Sequence, residues 1–411
     1  MQYEQIIEDI FRRHPSVQNS GFKTGAYKSG IAAMSRFDAL LGSPWKAYPC
    51  IHVAGTNGKG SVSSLLASNL ASNHHCKVGL FTSPHLLDFR ERIKIIDGRG
   101  EAHFELIDKT SVLEFIQTYK AEIEALSFFE ICTGLALWWF RQQGVGAAVV
   151  EVGLGGRLDS TNVIEGELAV ITSIGLDHCE LLGDSRRQIA FEKAGIFKKG
   201  KKALVWGHDP ECEPVFVDSA EKAGAELFYA DELVDRLPEW DLDLKGEYQR
   251  QNLRTALAAL EILKEKPDRQ ALSKCAKISG LRGRWEILNE KPLTICDIGN
   301  NPAALSYNFS QLESYHKKIH IVYGIMADKA LEDIAPLMPK QADYYLCAPA
   351  GSRAMKVPDL YERLHLARPE LKLHPIGSVK DALNAAREKA DVIELIYIGG
   401  STFVVAEALN E

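Results

Sequence analysis

The sequence predicts two α/β domains built on mostly parallel sheets, and three observations predict it. Short apolar, β-branched runs alternate with helical patterns through almost the whole chain, as in α/β folds. The runs are apolar at nearly every residue rather than at every second one, which suits strands covered on both faces. The alternation then restarts after a stretch rich in glycine and charge, Lys277 to Lys291 (KISGLRGRWEILNEK).

In the first set, strands are predicted near Cys50–Ala54, Val78–Thr82, Ala147–Val152, Ala169–Ile174 and Ala203–Trp206. Helices are predicted over Ser61–Asn73, Phe129–Gln143, Ser185–Phe197 and Gln249–Leu263. In the second set, strands at Leu293–Asp297, Ile319–Tyr323, Tyr344–Cys347 and Ile393–Ile398 alternate with helices near Pro302–Ser314, Leu331–Met338 and Val379–Lys389. The stretch from Lys277 to Lys291 reads as the linker, so the domains are expected over residues 1–283 and 284–411. A chain of 411 residues is long enough for two or three domains, and 46% hydrophobic residues provide for a large core. No internal repeat or low-complexity segment interrupts the pattern.

The formal net charge of -7 argues against a nucleic-acid footprint, which needs a basic face. Small anionic ligands remain compatible, because a local site can be basic in an acidic protein. The eight cysteines, Cys50, Cys76, Cys132, Cys179, Cys212, Cys275, Cys296 and Cys347, include no CxxC pair, so neither a zinc ribbon nor a thioredoxin-type site is indicated. The opening MQYEQIIEDIFRRH has no long apolar region and does not resemble a signal peptide. The most apolar segments, such as Gly146 to Val152, are too short to span a bilayer. The expectation is a cytoplasmic monomer that acts on small molecules, with no nucleic acid or membrane as partner.

The sharpest local signal is IHVAGTNGKGS, from Ile51 to Ser61. An apolar strand runs into Gly55, Thr56, Asn57, Gly58, Lys59, Gly60 and Ser61 and then into a helical pattern. Such a strand–loop–helix unit cradles phosphates. Glycines let backbone N–H groups turn inward, the helix N-terminus supplies positive potential, and Lys59 reaches the β- and γ-phosphates of ATP. The string is not the standard Walker A. That pattern needs glycine where Val53 stands and Ser or Thr where Gly60 stands. Kinases, GTPases and ligases all use phosphate loops, so the loop alone does not name a reaction.

Further motifs narrow the choice. AGTNGKGS is followed by TSPHLLDFRERI from Thr82 to Ile93, FE at Phe129–Glu130, EVGLGGRLDSTN from Glu151 to Asn162, LDH at Leu176–His178, and IAFEKAGIFK from Ile189 to Lys198. GIMADK at Gly324–Lys329 and GGSTFVVAE at Gly399–Glu407 follow in the second half. In order and spacing these closely resemble folylpolyglutamate synthase and dihydrofolate synthase, members of the Mur ligase superfamily. The resemblance covers nearly the whole chain. It implies a P-loop ATPase domain of the Mur ligase central type followed by a Rossmann-like ligase domain, with ATP in the cleft.

The resemblance implies three steps. ATP phosphorylates a pterin-containing carboxylic acid, the amine of L-glutamate attacks the acyl phosphate, and phosphate leaves. Such chemistry needs charge neutralisation and alignment more than acid–base work. By motif match, Ser83, Glu151 and His178 hold magnesium. Oxygen ligands suit Mg²⁺, whereas imidazole is a less typical partner, so His178 rests on the resemblance. Lys193 in EKAGI matches the family lysine that can be carbamylated. The GLGGR loop, with Arg157, lies near the pterin-acid substrate together with Leu158 and Ser127, although Arg157 and Asp159 could equally form a structural pair. Asn252, Arg284 and Asp297 match family contacts to the nucleotide. The Gly399–Thr402 loop opens a helix and is placed to hold an anion.

Two departures stand out. Asn300 replaces the usual histidine of the last motif, and asparagine cannot become cationic. The segment near Lys23 to Tyr27 matches the family's pterin-binding pattern only loosely. Rival readings are a Mur-type cell-wall amino-acid ligase, against which TSPHL and RERI speak, a P-loop NTPase acting as a switch or binding protein, and a weakened homologue used as a scaffold.

Overall fold

The computed structural model describes residues 2–16, 18 and 30–411, so the segment from Lys23 to Tyr27 lies outside the described residues. The chain packs into two units. One comprises Met1–Asp243 and Gln249–Leu281, the other Leu244–Tyr248 and Arg282–Glu411.

The first unit holds an eight-stranded sheet made of β1 (Cys50–Ala54), β2 (Lys77–Phe81), β3 (Ile93–Asp97), β4 (His103–Leu106), β5 (Ala147–Glu151), β6 (Leu168–Ile171), β7 (Lys202–Val205) and β8 (Glu226–Tyr229). Its order is β4-β3-β2-β5-β1-β6-β7-β8. The six strands from β2 to β8 in that order run parallel, and β3 and β4 add an antiparallel hairpin at one edge. From β1 the chain crosses to β2 on one side, returns to β5, then passes to β6 on the other. This reversal leaves a crevice at the carboxyl ends of the central strands, where doubly wound sheets bind ligands. Helices cover both faces. An aromatic-rich core around Phe37, Phe115, Trp138 and Phe140 and a second cluster around Ile189, Phe197 and Phe216 lie along one face, with Cys50, Val150, Ile171 and Val205 of the strands.

The second unit holds β9 (Glu286–Glu290), β10 (Leu293–Cys296), β11 (Ile319–Tyr323), β12 (Ala342–Cys347), β13 (Lys372–Gly377) and β14 (Leu395–Gly399), in the order β13-β12-β11-β14-β10-β9. Only β9 is antiparallel. Trp285, Tyr323, Tyr344 and Tyr397 are among the largest fully buried side chains of the whole chain.

Four expectations change. The stretch read as a linker carries structure, because helix Cys275–Ser279 ends in it and β9 begins at Glu286. The last predicted strand starts later, at Leu395, with Ile393 exposed in the preceding turn. The helix expected over Leu331–Met338 stops at Ile334 and continues as a 3₁₀ turn over Ala335–Leu337, since Pro336 cannot supply an interior helical N–H. The periodicity also missed β3, β4, β8, β9 and β13. Four of these border solvent at a sheet edge or close the hairpin, where little apolar surface is needed. β3 is buried throughout but contains Lys94, whose ammonium donates to the Ser279 carbonyl at 2.8 Å.

Candidate functional site: a phosphate loop at the carboxyl edge of the first sheet

The carboxyl ends of β1, β2, β5 and β6 deliver the phosphate loop, Ser83, Glu151 and the segment Thr172–Gly175 to one edge. The loop is fixed from β6. Thr172 Oγ1 donates to the Asn57 carbonyl at 2.6 Å, and Ser173 Oγ lies 3.0 Å from both the carbonyl and the N–H of Asn57. Thr56 N–H donates to the Ser173 carbonyl at 2.8 Å, and Gly175 N–H donates to Thr56 Oγ1 at 3.0 Å. Sequence reasoning missed Thr172 and Ser173. Their signal was two hydroxyls directly after a buried strand adjacent to β1.

Two glycines make the loop possible. A Cβ on Gly55 would lie 1.9 Å from Thr172 Oγ1, and one on Gly58 would lie 2.2 Å from Asn252 Oδ1. Gly58 also sits at φ +87°, a region that favours glycine. Helix Lys59–His74 starts directly after it, and its first turn, with Gly60 and Ser61, presents backbone N–H groups. Asn252 comes from helix Gln249–Leu263. Its Nδ2 donates to Gln249 Oε1 at 2.8 Å, and Gln249 Nε2 donates to Ser61 Oγ at 3.1 Å. The structure therefore brings Asn252 onto the loop.

Lys59 folds back over its own loop, with Nζ donating to the carbonyls of Gly55 at 3.0 Å and Thr56 at 3.1 Å. Lys193 is buried and reaches the same oxygen, its Nζ donating to the Gly55 carbonyl at 2.9 Å. Burial, and next the Lys59 ammonium, push Lys193 down to about 7, while Asp177 and Asp159 act in the opposite direction. Asp177 was not singled out from the sequence. His178, in the left-handed region at φ +53°, donates its N–H to Asp177 Oδ1 at 3.0 Å, and its ring Nε2 lies 3.8 Å from Asp177 Oδ2.

Glu151 ends β5 and is buried, with Oε2 accepting from Ser83 N–H at 3.0 Å. Among the described residues no three His, Cys, Asp or Glu side chains group to hold a metal ion by themselves. The Ser83 hydroxyl and the Glu151 carboxylate are hard oxygen donors. Mg²⁺ usually binds one or two carboxylates plus substrate phosphates, so these residues fit a phosphate-bound divalent ion.

The residues expected beside the substrate have structural partners. Arg157 pairs with Glu192, not with Asp159: its Nη2 lies 2.8 Å from Glu192 Oε1, and its guanidinium lies over Phe191. Asp159 is buried and instead accepts from the N–H groups of Thr161 and Leu154, both at 2.9 Å. Ser127 caps helix Phe128–Gln142 reciprocally with Glu130. Leu158 is half-buried.

In the second unit, Asp297 is a buried hub. It accepts from Tyr248 Oη at 2.6 Å, Gly299 N–H at 2.7 Å, Trp285 N–H at 2.8 Å and Asn308 Nδ2 at 2.8 Å. Arg284 Nη1 donates to the Arg282 carbonyl at 3.2 Å. Asn301, beside Asn300, caps helix Pro302–Ser314.

A glycine-rich cradle on a parallel sheet, followed by a second α/β unit, is the plan of a Mur-type ligase. The family described as Mur ligase middle domain matches residues 53–235, and that described as Mur ligase, glutamate ligase domain matches residues 283–402. Dihydrofolate synthase/folylpolyglutamate synthase of Escherichia coli is 32% identical over 402 residues, covering 93% of this chain and 90% of the relative. A probable bifunctional folylpolyglutamate synthase/dihydropteroate synthase of Haloferax volcanii is 30% identical over 420 residues, and the match spans only 48% of that relative. Among solved structures, E. coli FolC in complex with DHPP and ADP superposes with TM-score 0.82 at 28% identity, over 99% of this chain and 97% of that one. A bifunctional folylpolyglutamate synthase/dihydrofolate synthase with Mn, AMPPNP and L-glutamate bound gives TM-score 0.79 at 29% identity, over 93% and 94%. The chain belongs to the folylpolyglutamate synthase/dihydrofolate synthase family of the Mur ligase superfamily.

Proposed function

We propose that this protein is an ATP-dependent ligase that adds L-glutamate to dihydropteroate, to reduced folate (poly)glutamates, or to both, releasing ADP and phosphate. The observation that carries the reading is the convergence of Lys59 and Lys193 on the Gly55 carbonyl, inside a loop that Thr172 and Ser173 hold in place. Lys59 at that point neutralises the charge of a phosphoryl group in transfer, and Lys193, once carbamylated, would present an anion to bind magnesium or orient a phosphate.

In this reading residues 1–283 bind ATP and residues 284–411 form the glutamate-ligase part. Thr56, Asn57, Gly58, Gly60 and Ser61 wrap the phosphates, with Asn252, Arg284 and Asp297 as further nucleotide residues. Lys59 aligns the γ-phosphoryl group with the substrate carboxylate. Ser83, Glu151 and His178 hold Mg²⁺, which supplies charge neutralisation on the phosphate oxygens. Arg157, Leu158 and Ser127 border the pterin-acid substrate. The glutamate amine then displaces phosphate from the acyl phosphate to give the amide. Among the described residues no helix is long and apolar enough to cross a membrane. We place the protein in the cytoplasm as a monomer, a placement in keeping with its eight free cysteines.

The test is incorporation of labelled L-glutamate with dihydropteroate and tetrahydrofolate side by side. The expected result is amide formed in step with ADP, and only when glutamate and a pterin acid are both present. ATP hydrolysis indifferent to glutamate would instead identify an NTPase switch.

A further inference from the structure

Strand β1 is buried along its whole length, yet its middle residue is a histidine. Side chains alternate between the two faces of a strand, so His52 shares a face with Cys50 and Ala54. Each of those two belongs to an apolar cluster. His52, only 1% exposed, places a polar ring between them. Burying such a ring is costly unless it is hydrogen-bonded. Its hydrogen bond runs to the segment that follows β5.

That bond is the first of a chain. His52 Nε2 lies 2.8 Å from Thr161 Oγ1, and Thr161 Oγ1 lies 2.5 Å from Asp159 Oδ1. Asp159 Oδ1 also accepts from Thr161 N–H, and Asp159 Oδ2 accepts from Leu154 N–H, both at 2.9 Å. The Asp159 N–H donates to the Gly156 carbonyl at 3.1 Å. Asp159 thus ties together two points of the glycine loop 153–158.

The proton positions follow from the chemistry of the groups. A carboxylate only accepts, so the single proton of the Thr161 hydroxyl points to Asp159. Thr161 Oγ1 has only lone pairs left for His52, so Nε2 carries the proton and donates. Nδ1 is then bare, and it is buried without a partner. The ring stays neutral, because burial, and next Lys198, push it down to about 3. His52 is a fixed donor near neutral pH.

We propose that His52 is a positioning residue for the loop 153–158, acting through Thr161 on the Asp159 carboxylate that closes it. The consequence for catalysis rests on the reading that this loop borders the pterin acid. A packing role needs a ring-sized side chain, whereas this role needs a donor at one place. Glutamine puts its amide nitrogen about where Nε2 stands, and asparagine about where Nδ1 stands. Only glutamine can therefore replace the histidine.

The test compares His52→Gln, His52→Asn and Thr161→Val in two measurements. One is initial rates with the pterin acid and ATP varied in turn. The other is deuterium uptake by residues 151–158 in the free protein. His52→Asn and Thr161→Val are expected to raise the KM for the pterin acid about tenfold, the effect of one lost hydrogen bond. Both should speed uptake in the loop and leave the KM for ATP unchanged. His52→Gln should stay close to the unaltered protein in both measurements. The double variant His52→Asn/Thr161→Val should be no worse than Thr161→Val alone, because the chain is already cut. Equal losses in His52→Gln and His52→Asn overturn the proposal. So does a KM for ATP that rises as much as that for the acid, since either result assigns His52 to the packing of β1. If the His52 variants do not fold, Thr161→Ser, which keeps the hydroxyl, should behave normally where Thr161→Val does not, and equal behaviour of the two overturns the proposal. Deuterium uptake needs no substrate. Unchanged uptake in His52→Asn and Thr161→Val refutes the positioning role whatever the ligase assay gives, and faster uptake without any ligase activity leaves that role standing while the ligase reading falls.

Discussion

Lys59 and Lys193 donate to one and the same oxygen, the carbonyl of Gly55, at 3.0 and 2.9 Å. Two ammonium groups on one acceptor repel each other. Burial first, and next the Lys59 ammonium, push Lys193 down to about 7. At pH 7 roughly half of its amine is then neutral, against roughly one part in three thousand for an unperturbed lysine.

The neutral amine is the form that reacts with CO₂, so Lys193 is expected to be carbamylated and activity to depend on dissolved bicarbonate. Lys193→Ala should be nearly inactive, with partial rescue by a short carboxylic acid. Electron density at Nζ in crystals grown with ATP and magnesium decides the point: a bare ammonium there refutes it.

The same group gives a stability prediction for the unmodified protein in bicarbonate-free buffer. The folded pKa is depressed from 10.5 to about 7, so between these values the unfolded chain binds more protons. Its contribution therefore makes stability rise with pH from about 7 toward 10.5 and flatten below about 7. Denaturant unfolding at several pH values checks this, and Lys193→Met should remove that part of the slope.

Lys59→Ala removes a cation from the transition state, so turnover is expected to fall at least ~100-fold. Initial rates at saturating ATP measure this. Near-normal rates would contradict the phosphate-loop assignment. Glu151→Gln, by contrast, should raise the magnesium concentration needed for half activity at least ~10-fold, and an unchanged metal titration would remove Glu151 from the metal site.

Gly58→Ala places a methyl group against Asn252 Oδ1 at a positive φ. The cost is on the order of 1–3 kcal/mol, read as a lower Tm, with weaker ATP binding. The double variant Gly58→Ala/Asn252→Ala relieves the collision but not the backbone strain. It should regain part of the Tm without regaining ATP affinity.

Asp297→Asn turns one acceptor oxygen of a four-donor hub into a donor. About 2–3 kcal/mol of stability should be lost, seen as a lower urea midpoint. An unchanged midpoint with weakened nucleotide binding would instead assign Asp297 to ATP alone.

The sequence by itself determined the buried parallel strands, several of the helices between them and the phosphate loop. Strands such as β1 and β11 are buried at every position because helices cover both faces, and that demand leaves them apolar except at His52 and His320, a pattern written locally. Gly55, Gly58 and Lys59 were legible for a similar reason, since loop geometry restricts residue type over a few neighbouring positions. Edge strands β8, β9 and β13 were not legible, because half-solvated strands tolerate charge and proline. Only the tertiary structure decided that Lys193, 138 residues away from Gly55, reaches its carbonyl, that Thr172 and Ser173 hold Asn57, and that Arg157 pairs with Glu192 rather than with its neighbour Asp159. Those contacts depend on the order in which distant strands pair, and strand order leaves no periodic trace in the chain.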